Sequence, residues 1–72
     1  MYSVDVYRGS GKILTSYYQI YDYVVFDGKL ILVRILGENK ENITLKFDEF
    51  SSVNIVGDDF HLVHYEGSYK GV

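Results

Sequence analysis

The chain has 72 residues, a net charge of −3 and an apolar content of 47%. That length fits one small domain spanning residues 1–72, and that apolar content excludes a disordered tail. Val, Ile, Tyr and Phe are plentiful while Ala is absent. Because the first four suit pleated strands and Ala is the best helix former, the composition predicts an all-β protein.

The absence of cysteine excludes a disulfide framework and a thiolate zinc site. We expect no secretion signal, and the sequence has no apolar run of about 18 residues that could cross a membrane. A cytoplasmic protein is therefore predicted. The negative charge disfavours duplex DNA as a partner, although it leaves room for single strands held by stacking.

Residue usage also hints at the source genome. Ala and Pro need G/C-rich codons and both are absent, whereas Tyr, Ile, Asn and Lys are plentiful. This pattern is typical of an AT-rich genome, such as that of a low-GC bacterium or one of its phages.

The first third of the chain reads as two strands. Residues 2–7 alternate, with Tyr2 and both valines on one face, which predicts a half-buried strand. Residues 9–11 (GSG) are expected to turn the chain. Residues 12–26 then read as extended throughout, which is long for one strand, so we expect a bend or bulge near residues 15–20.

The pair Asp27-Gly28 lies between two apolar runs and is the strongest hairpin signal in the chain. A type I′ turn needs positive φ at both central residues, which Asp and Gly tolerate. The return strand is predicted over residues 30–36, and residues 37–42 (GENKEN) are predicted to form a polar loop.

The last third of the chain is expected to hold three further strands. Phe50 is predicted to point inward from a single helical turn. The expected elements are a strand over 43–47, the helical turn over 48–52, a strand over 53–56, a turn over 57–59, a last strand over 60–65 and a fraying end over 66–72. The fold class is therefore a single small antiparallel barrel or curled sheet of five to seven strands, SH3-, OB- or PH-like.

A two-residue turn at Asp27-Gly28 pairs Tyr23 with Leu32 and Tyr21 with Arg34, and gives the hairpin two distinct faces. The first is the predicted core face, on which Asp22 is the misfit: Ile20, Asp22, Val24, Phe26, Ile31, Val33 and Ile35. The second is amphipathic: Tyr17, Gln19, Tyr21, Tyr23, Val25, Leu30, Leu32, Arg34 and Leu36.

Three interpretations of this amphipathic face stay open. In the first, a second layer covers this face; in the second, the face is an exposed binding patch. In the third, a bulge shifts the register and turns the rings inward, and the charged Asp22 on the predicted core face indicates such a shift. Aromatic and Arg side chains are enriched in binding hot spots, and Tyr21 could stack on Arg34. The predicted partner-binding site is Tyr17, Gln19, Tyr21, Tyr23, Leu32 and Arg34.

The chain offers little for catalysis. His61 and His64 are three apart and would lie on opposite faces of a strand, so they cannot share a metal. The acidic pairs 48–49 and 58–59 are typical of turns, with a weak cation site or a mildly acidic docking patch as alternatives. Residues 9–12 (GSGK) lack the spacing of a phosphate-binding loop. We expect no enzymatic activity, no cofactor and no metal.

Three functions suit these features. The first is a protein-binding module that acts by covering a partner's surface, for example a phage- or mobile-element-encoded inhibitor of a host enzyme such as a defence nuclease. The alternative is a small β-barrel that stacks single-stranded nucleic acid on its tyrosines. The third is a homodimer, through the same face with Leu30, Leu32 and Leu36 or through an unpaired outer strand. A membrane partner is not expected.

Overall fold

The computed structural model describes residues 1–9 and 12–70, so the predicted turn at residues 9–11 lies partly outside the described residues. The described chain forms six strands and one short 3₁₀ helix: β1 Tyr2–Tyr7, β2 Ile13–Phe26, β3 Lys29–Leu36, β4 Asn39–Lys46, the 3₁₀ helix Phe47–Glu49, β5 Ser52–Gly57 and β6 Leu62–Glu66. The strands make one antiparallel sheet in the order β4-β3-β2-β1-β5-β6, and this sheet is not closed. The predicted all-β fold class is confirmed, as a curled sheet.

The curl of the sheet is what creates the core. The fully buried side chains come from the four inner strands of the order and from the segment between β4 and β5, and half-buried side chains of both outer strands pack against them. A flat sheet could not bring these strands together, so the sheet bends until one of its faces encloses its own core. The buried residues are Val4, Val6, Ile20, Leu30, Leu32, Phe50, Val53 and Ile55.

Strand β2 is the strand that bends. Its first half pairs with β1 and its second half pairs with β3. The register breaks between these halves, since Tyr2 pairs with Ile20 whereas Val4 pairs with Tyr17. Gln19 has a φ of 56° at this break. The predicted bulge is therefore confirmed, and one strand serves both halves of the curled sheet.

The β2–β3 turn has the predicted type I′ character, with φ of 53° at Asp27 and 70° at Gly28. The predicted polar loop over residues 37–42 is wrong. Only Gly37 and Glu38 connect the strands, because Asn39 already pairs with Leu36 and the ladder continues along β4. Polar side chains are compatible with β4 because it is an edge strand of the sheet and one of its faces is exposed to solvent.

The segment after β4 crosses one end of the curl. The predicted helical turn is present as the 3₁₀ helix, and Phe50 points inward with 1% exposure. The expected fraying is wrong for residues 67–69, whose N–H groups donate to the carbonyls of Ser51, Phe47 and Phe50 in that order. A Cβ at Gly67 would lie 2.1 Å from the Phe50 carbonyl oxygen, so this close approach requires glycine.

Residues 71–72 lie outside the described chain. Within the described residues, no helix is long and apolar enough to cross a membrane.

Candidate functional site

The two faces of the β2–β3 hairpin are the reverse of the prediction. Leu30 and Leu32, on the predicted amphipathic face, are fully buried. Val24 and Phe26, on the predicted core face, are 50% and 68% exposed. The face that carries the tyrosines is therefore the inner one, and the proposed dimer surface that included Leu30 and Leu32 is not available.

The bulge explains the reversal. Next to the turn the register is as predicted, with Tyr23 opposite Leu32. The predicted pairing of Tyr21 with Arg34 is wrong, because Ile20 takes that place and Tyr21 is the extra residue of the bulge. Alternation is thereby reset: Ile20 lies inside, and Asp22, the misfit of the predicted core face, lies outside and exposed.

The six residues of the predicted site do not share one surface. Leu32 is fully buried, and Tyr17 and Tyr23 are half-buried against the core. Arg34 is half-buried as well. Gln19 and Tyr21 are exposed and stay close together at the bulge.

Arg34 is held within its own fold. Its Nη2 donates to Glu41 Oε1 over 3.0 Å, while its Nε is buried without a hydrogen-bond partner. The predicted stacking of Tyr21 on Arg34 is replaced by this ion pair. Among the described residues, the guanidinium that lies over an aromatic ring is that of Arg8, 4.5 Å from the centroid of the Tyr69 ring.

The bulge and the β5–β6 turn lie at the same end of the sheet. Tyr2 pairs with Ile20 on one side and with Gly57 on the other. Two strand spacings, about 10 Å, therefore separate the bulge from the start of the β5–β6 turn. We call Gln19, Tyr21 and Phe60 together the bulge end.

The backbone at the bulge end is strained. Among the described non-glycine residues, φ is positive at Asp27, Gln19 and Phe60. The type I′ turn requires it at Asp27, whereas the other two lie at the bulge end. Phe60 has a φ of 63°, a conformation rare for a bulky residue and unfavourable by about 1–2 kcal/mol.

Among the described large hydrophobic residues, Phe60 is also the most exposed, at 88%. Its N–H donates to the Gly57 carbonyl over 2.9 Å, and the next N–H, of His61, donates to Asp59 Oδ1 over 3.1 Å. These bonds fix the turn and leave the ring in solvent. Sequence reasoning missed Phe60 because it placed this residue inside the last strand, whereas β6 begins at Leu62.

Four other tyrosines, Tyr2, Tyr17, Tyr23 and Tyr65, pack against the core. The rings of Tyr2 and Tyr23 meet edge to face at 5.1 Å. Burial raises the pKa of Tyr23 above its usual 10.0, and Tyr65, Tyr2 and Asp22 reinforce that shift. These half-buried rings therefore act as packing groups that line the inner face.

Little else in the described chain offers chemistry. His64 Nδ1 lies 2.6 Å from Asn54 Oδ1, and His61 is exposed in the β5–β6 turn. No group of three or more His, Cys, Asp or Glu residues in residues 1–9 and 12–70 could hold a metal ion. A pocket of about 100 Å³ beside Leu14, Tyr17 and Phe50 is smaller than the roughly 300 Å³ of small ligand sites.

No protein-family model, curated protein or solved structure matches this chain. Function is therefore inferred from the surfaces of the molecule alone.

Proposed function

We propose that this chain is a non-enzymatic protein-binding module that covers a surface of a larger protein with its bulge end. The observation that supports this most is a pair of exposed rings at the same end of the sheet, Phe60 and Tyr21, which are 88% and 58% exposed. Aromatic side chains dominate binding hot spots. A ring that a fixed turn already holds outward loses little freedom on binding, which favours affinity.

The charges around the bulge end indicate the kind of partner. Asp58 and Asp59 directly precede Phe60, and Asp22 follows Tyr21. The Met1 amino group lies 2.8 Å from Asp58, an exposed ion pair that contributes little. The surface that fits is an apolar pocket with a basic rim. Enzymes that act on nucleic acid present basic surfaces to phosphates.

In its specific form, the proposal is that the chain is a phage- or mobile-element-encoded inhibitor of a host enzyme of this kind, such as a defence nuclease in the cytoplasm. Inhibition would come from occlusion of the basic surface. Titration of the purified partner enzyme should then abolish its activity at a one-to-one ratio. An enzyme that stays active when saturated with this protein would argue against occlusion.

The binding proposal is tested by capture from a nuclease-treated lysate of a low-GC bacterium, followed by affinity measurement on the captured protein. Phe60→Ala and Tyr21→Ala should each weaken binding by about 2 kcal/mol, or roughly thirtyfold, which is the hot-spot scale. Phe26→Ala is the matched control, because it removes an equally simple exposed ring, 68% exposed, from another surface.

Losses below about 0.5 kcal/mol for both bulge-end variants, with folding intact, would show that the bulge end is not the binding surface. An equal loss of binding free energy in the Phe26→Ala control would lead to the same conclusion, because removing an exposed ring would then weaken binding wherever that ring lies.

Single-stranded nucleic acid is the second candidate ligand, and one observation favours it. Phe26, Lys29 and Lys46 lie in one row across β2, β3 and β4, so two cations follow one another on one side of an exposed ring. Base stacking on such a ring is worth roughly 1–3 kcal/mol. Binding of a labelled oligonucleotide should then weaken with salt and with Phe26→Ala. A capture that survives nuclease treatment counts against this candidate.

A further inference from the structure

Strand β4 lies at one edge of the sheet, and its outer side is open. The N–H of Phe47, the residue after β4, donates to the Gly28 carbonyl over 3.0 Å and so continues the β3–β4 ladder. Because the bonds of an antiparallel ladder use every second residue, the residues in between point their N–H and C=O groups away from β3. None of these outward groups bonds to another described part of the backbone. The residues that carry them are Lys40, Asn42, Thr44 and Lys46.

A small pocket lies beside this open edge. It has a volume of about 100 Å³, and Thr44 and Leu45 of β4 form one of its walls. Leu14 and Tyr17 form another wall, in the half of β2 that pairs with β1 alone. No described residue of β3 lines the pocket, so it lies toward the free edge of β4 rather than beneath β3. A cavity of about 150 Å³ holds a benzene molecule, so this pocket has room for one aliphatic side chain.

The two faces of β4 differ in chemistry. Ile43 and Leu45 are half-buried on the inner face and pack against the core. Lys40 and Lys46 are exposed on the outer face, where Lys46 already lies opposite Lys29. Residues directly opposite one another in an antiparallel pair share a face, and opposite charges stabilise such a pair whereas like charges destabilise it. A strand that fits beside β4 therefore carries apolar residues on its inner face and acidic residues on its outer face.

A second copy of this chain does not have that pattern. Two copies of β4 paired about a twofold axis at Ile43 would set Lys40 of each copy opposite Lys46 of the other. Lysine on an edge strand is a common means of preventing this kind of self-pairing. The open edge is thus unfavourable for self-association and favourable for a segment of opposite charge.

We infer that β4 and the pocket beside it bind an extended segment of a partner protein, in which apolar and acidic residues occupy opposite faces, as a further antiparallel strand. A peptide strand presents its own donors and acceptors at the matching spacing of about 6.8 Å, every second residue. These bond to the outward groups of Asn42 and Thr44. An aliphatic side chain opposite Leu45 enters the pocket, and carboxylates lie opposite Lys40 and Lys46.

Backbone bonds give affinity in strand addition of this kind, and side-chain pockets give specificity. The site does not involve the rings of the bulge end, Phe60 and Tyr21. It therefore goes beyond the proposed function, and either can fail without the other.

Nuclear magnetic resonance titration of the ¹⁵N-labelled chain with a synthetic peptide tests the site. The probe is a capped seven-residue peptide of alternating valine and threonine between two terminal glutamates. Its glutamates fall opposite Lys40 and Lys46 and its threonines opposite Asn42 and Thr44. The amide signals of these four residues should shift and saturate. No shift along β4 at millimolar peptide would overturn the inference.

Methylation of the peptide nitrogens tests the backbone pairing. The peptide with both threonine nitrogens methylated cannot donate to β4 and should bind about tenfold more weakly. The peptide with two valine nitrogens methylated is the matched control, because these point away from β4, and it should bind like the unmodified peptide. Equal affinity of the two methylated peptides would show that the segment does not add to β4 as a strand.

Variants of the chain test the same contacts from the other side. Thr44→Pro removes an outward N–H without removing a bond to β3, so it should keep its far-UV circular dichroism and bind the peptide about tenfold more weakly. Thr44→Ala is its control and should bind like the wild type. Thr44→Pro that folds and binds as tightly as Thr44→Ala would overturn the inference.

Charge reversal leaves the backbone of β4 unchanged and tests the acidic character of the segment. Lys46→Glu should bind the peptide about fivefold more weakly. A peptide with lysine in place of its amino-terminal glutamate, the residue opposite position 46, should recover most of that loss with Lys46→Glu and bind the wild type more weakly. If both chains bind the two peptides equally well, the segment is not acidic at this position and the inference is wrong.

Discussion

The inner and outer faces of the β2–β3 hairpin are both apolar, yet only one is buried. Leu30 and Leu32 are enclosed by the curled sheet, while Val24 and Phe26 on the opposite face meet solvent. Hydrophobicity alone therefore does not decide which face becomes the core. The direction in which the sheet curls decides it, and that direction is set where β2 bends at its bulge.

The largest expected effect separates the two faces by stability. Leu32→Ala should lower the free energy of unfolding by about 3 kcal/mol, because it removes a fully buried side chain and leaves a cavity. Val24→Ala, on the outer face, should cost no more than about 0.5 kcal/mol. Urea denaturation of both variants measures the difference. Similar losses for both variants would mean that the outer face is covered within the single chain.

Local pattern was sufficient to predict most of the elements. The type I′ turn follows from the pair Asp27-Gly28, whose residue types tolerate positive φ. The inward direction of Phe50 follows from an isolated ring in a polar turn. The strands before and after that turn follow from alternation of apolar and polar residues. Each of these features depends on residues close together in the chain.

The faces could not be predicted in the same way. An alternation of side chains shows that a strand has two faces, but both faces of residues 20–36 are apolar. The choice depends on where β1 stops pairing with β2, at Ile20, which is a contact between distant segments. The outward Phe60 depends likewise on the hydrogen bonds of its turn. Of the predicted site, only Gln19 and Tyr21 are therefore kept as surface candidates.

The next effect tests the bulge that separates the faces. Gln19 has a φ of 56°, which glycine adopts freely and a β-branched residue adopts at considerable cost. Gln19→Gly should raise the free energy of unfolding by about 0.5 kcal/mol, and Gln19→Val should lower it by about 1 kcal/mol or more. Urea denaturation measures both. Because Gln19 is exposed, the opposite signs would report backbone conformation rather than lost packing. If valine is tolerated as well as glycine, the bulge does not hold this conformation in solution.

The smallest expected effect concerns Tyr23, at the border between the inner face and solvent. Burial, reinforced by Tyr65, Tyr2 and Asp22, raises its pKa above the usual 10.0. Above pH 10 the unfolded chain therefore releases this proton more readily than the folded chain. The stability linked to Tyr23 is fully present below pH 10 and is lost as the pH rises through the folded pKa.

Tyr23→Phe should thus lose less stability than the wild type on going above pH 10, measured by urea denaturation at several pH values. Tyr18→Phe, which removes an exposed hydroxyl, should follow the wild type. If Tyr23→Phe shows the same pH dependence of stability as the wild type, Tyr23 is as accessible to solvent as a residue of the outer face. The two faces then do not differ in burial at this position.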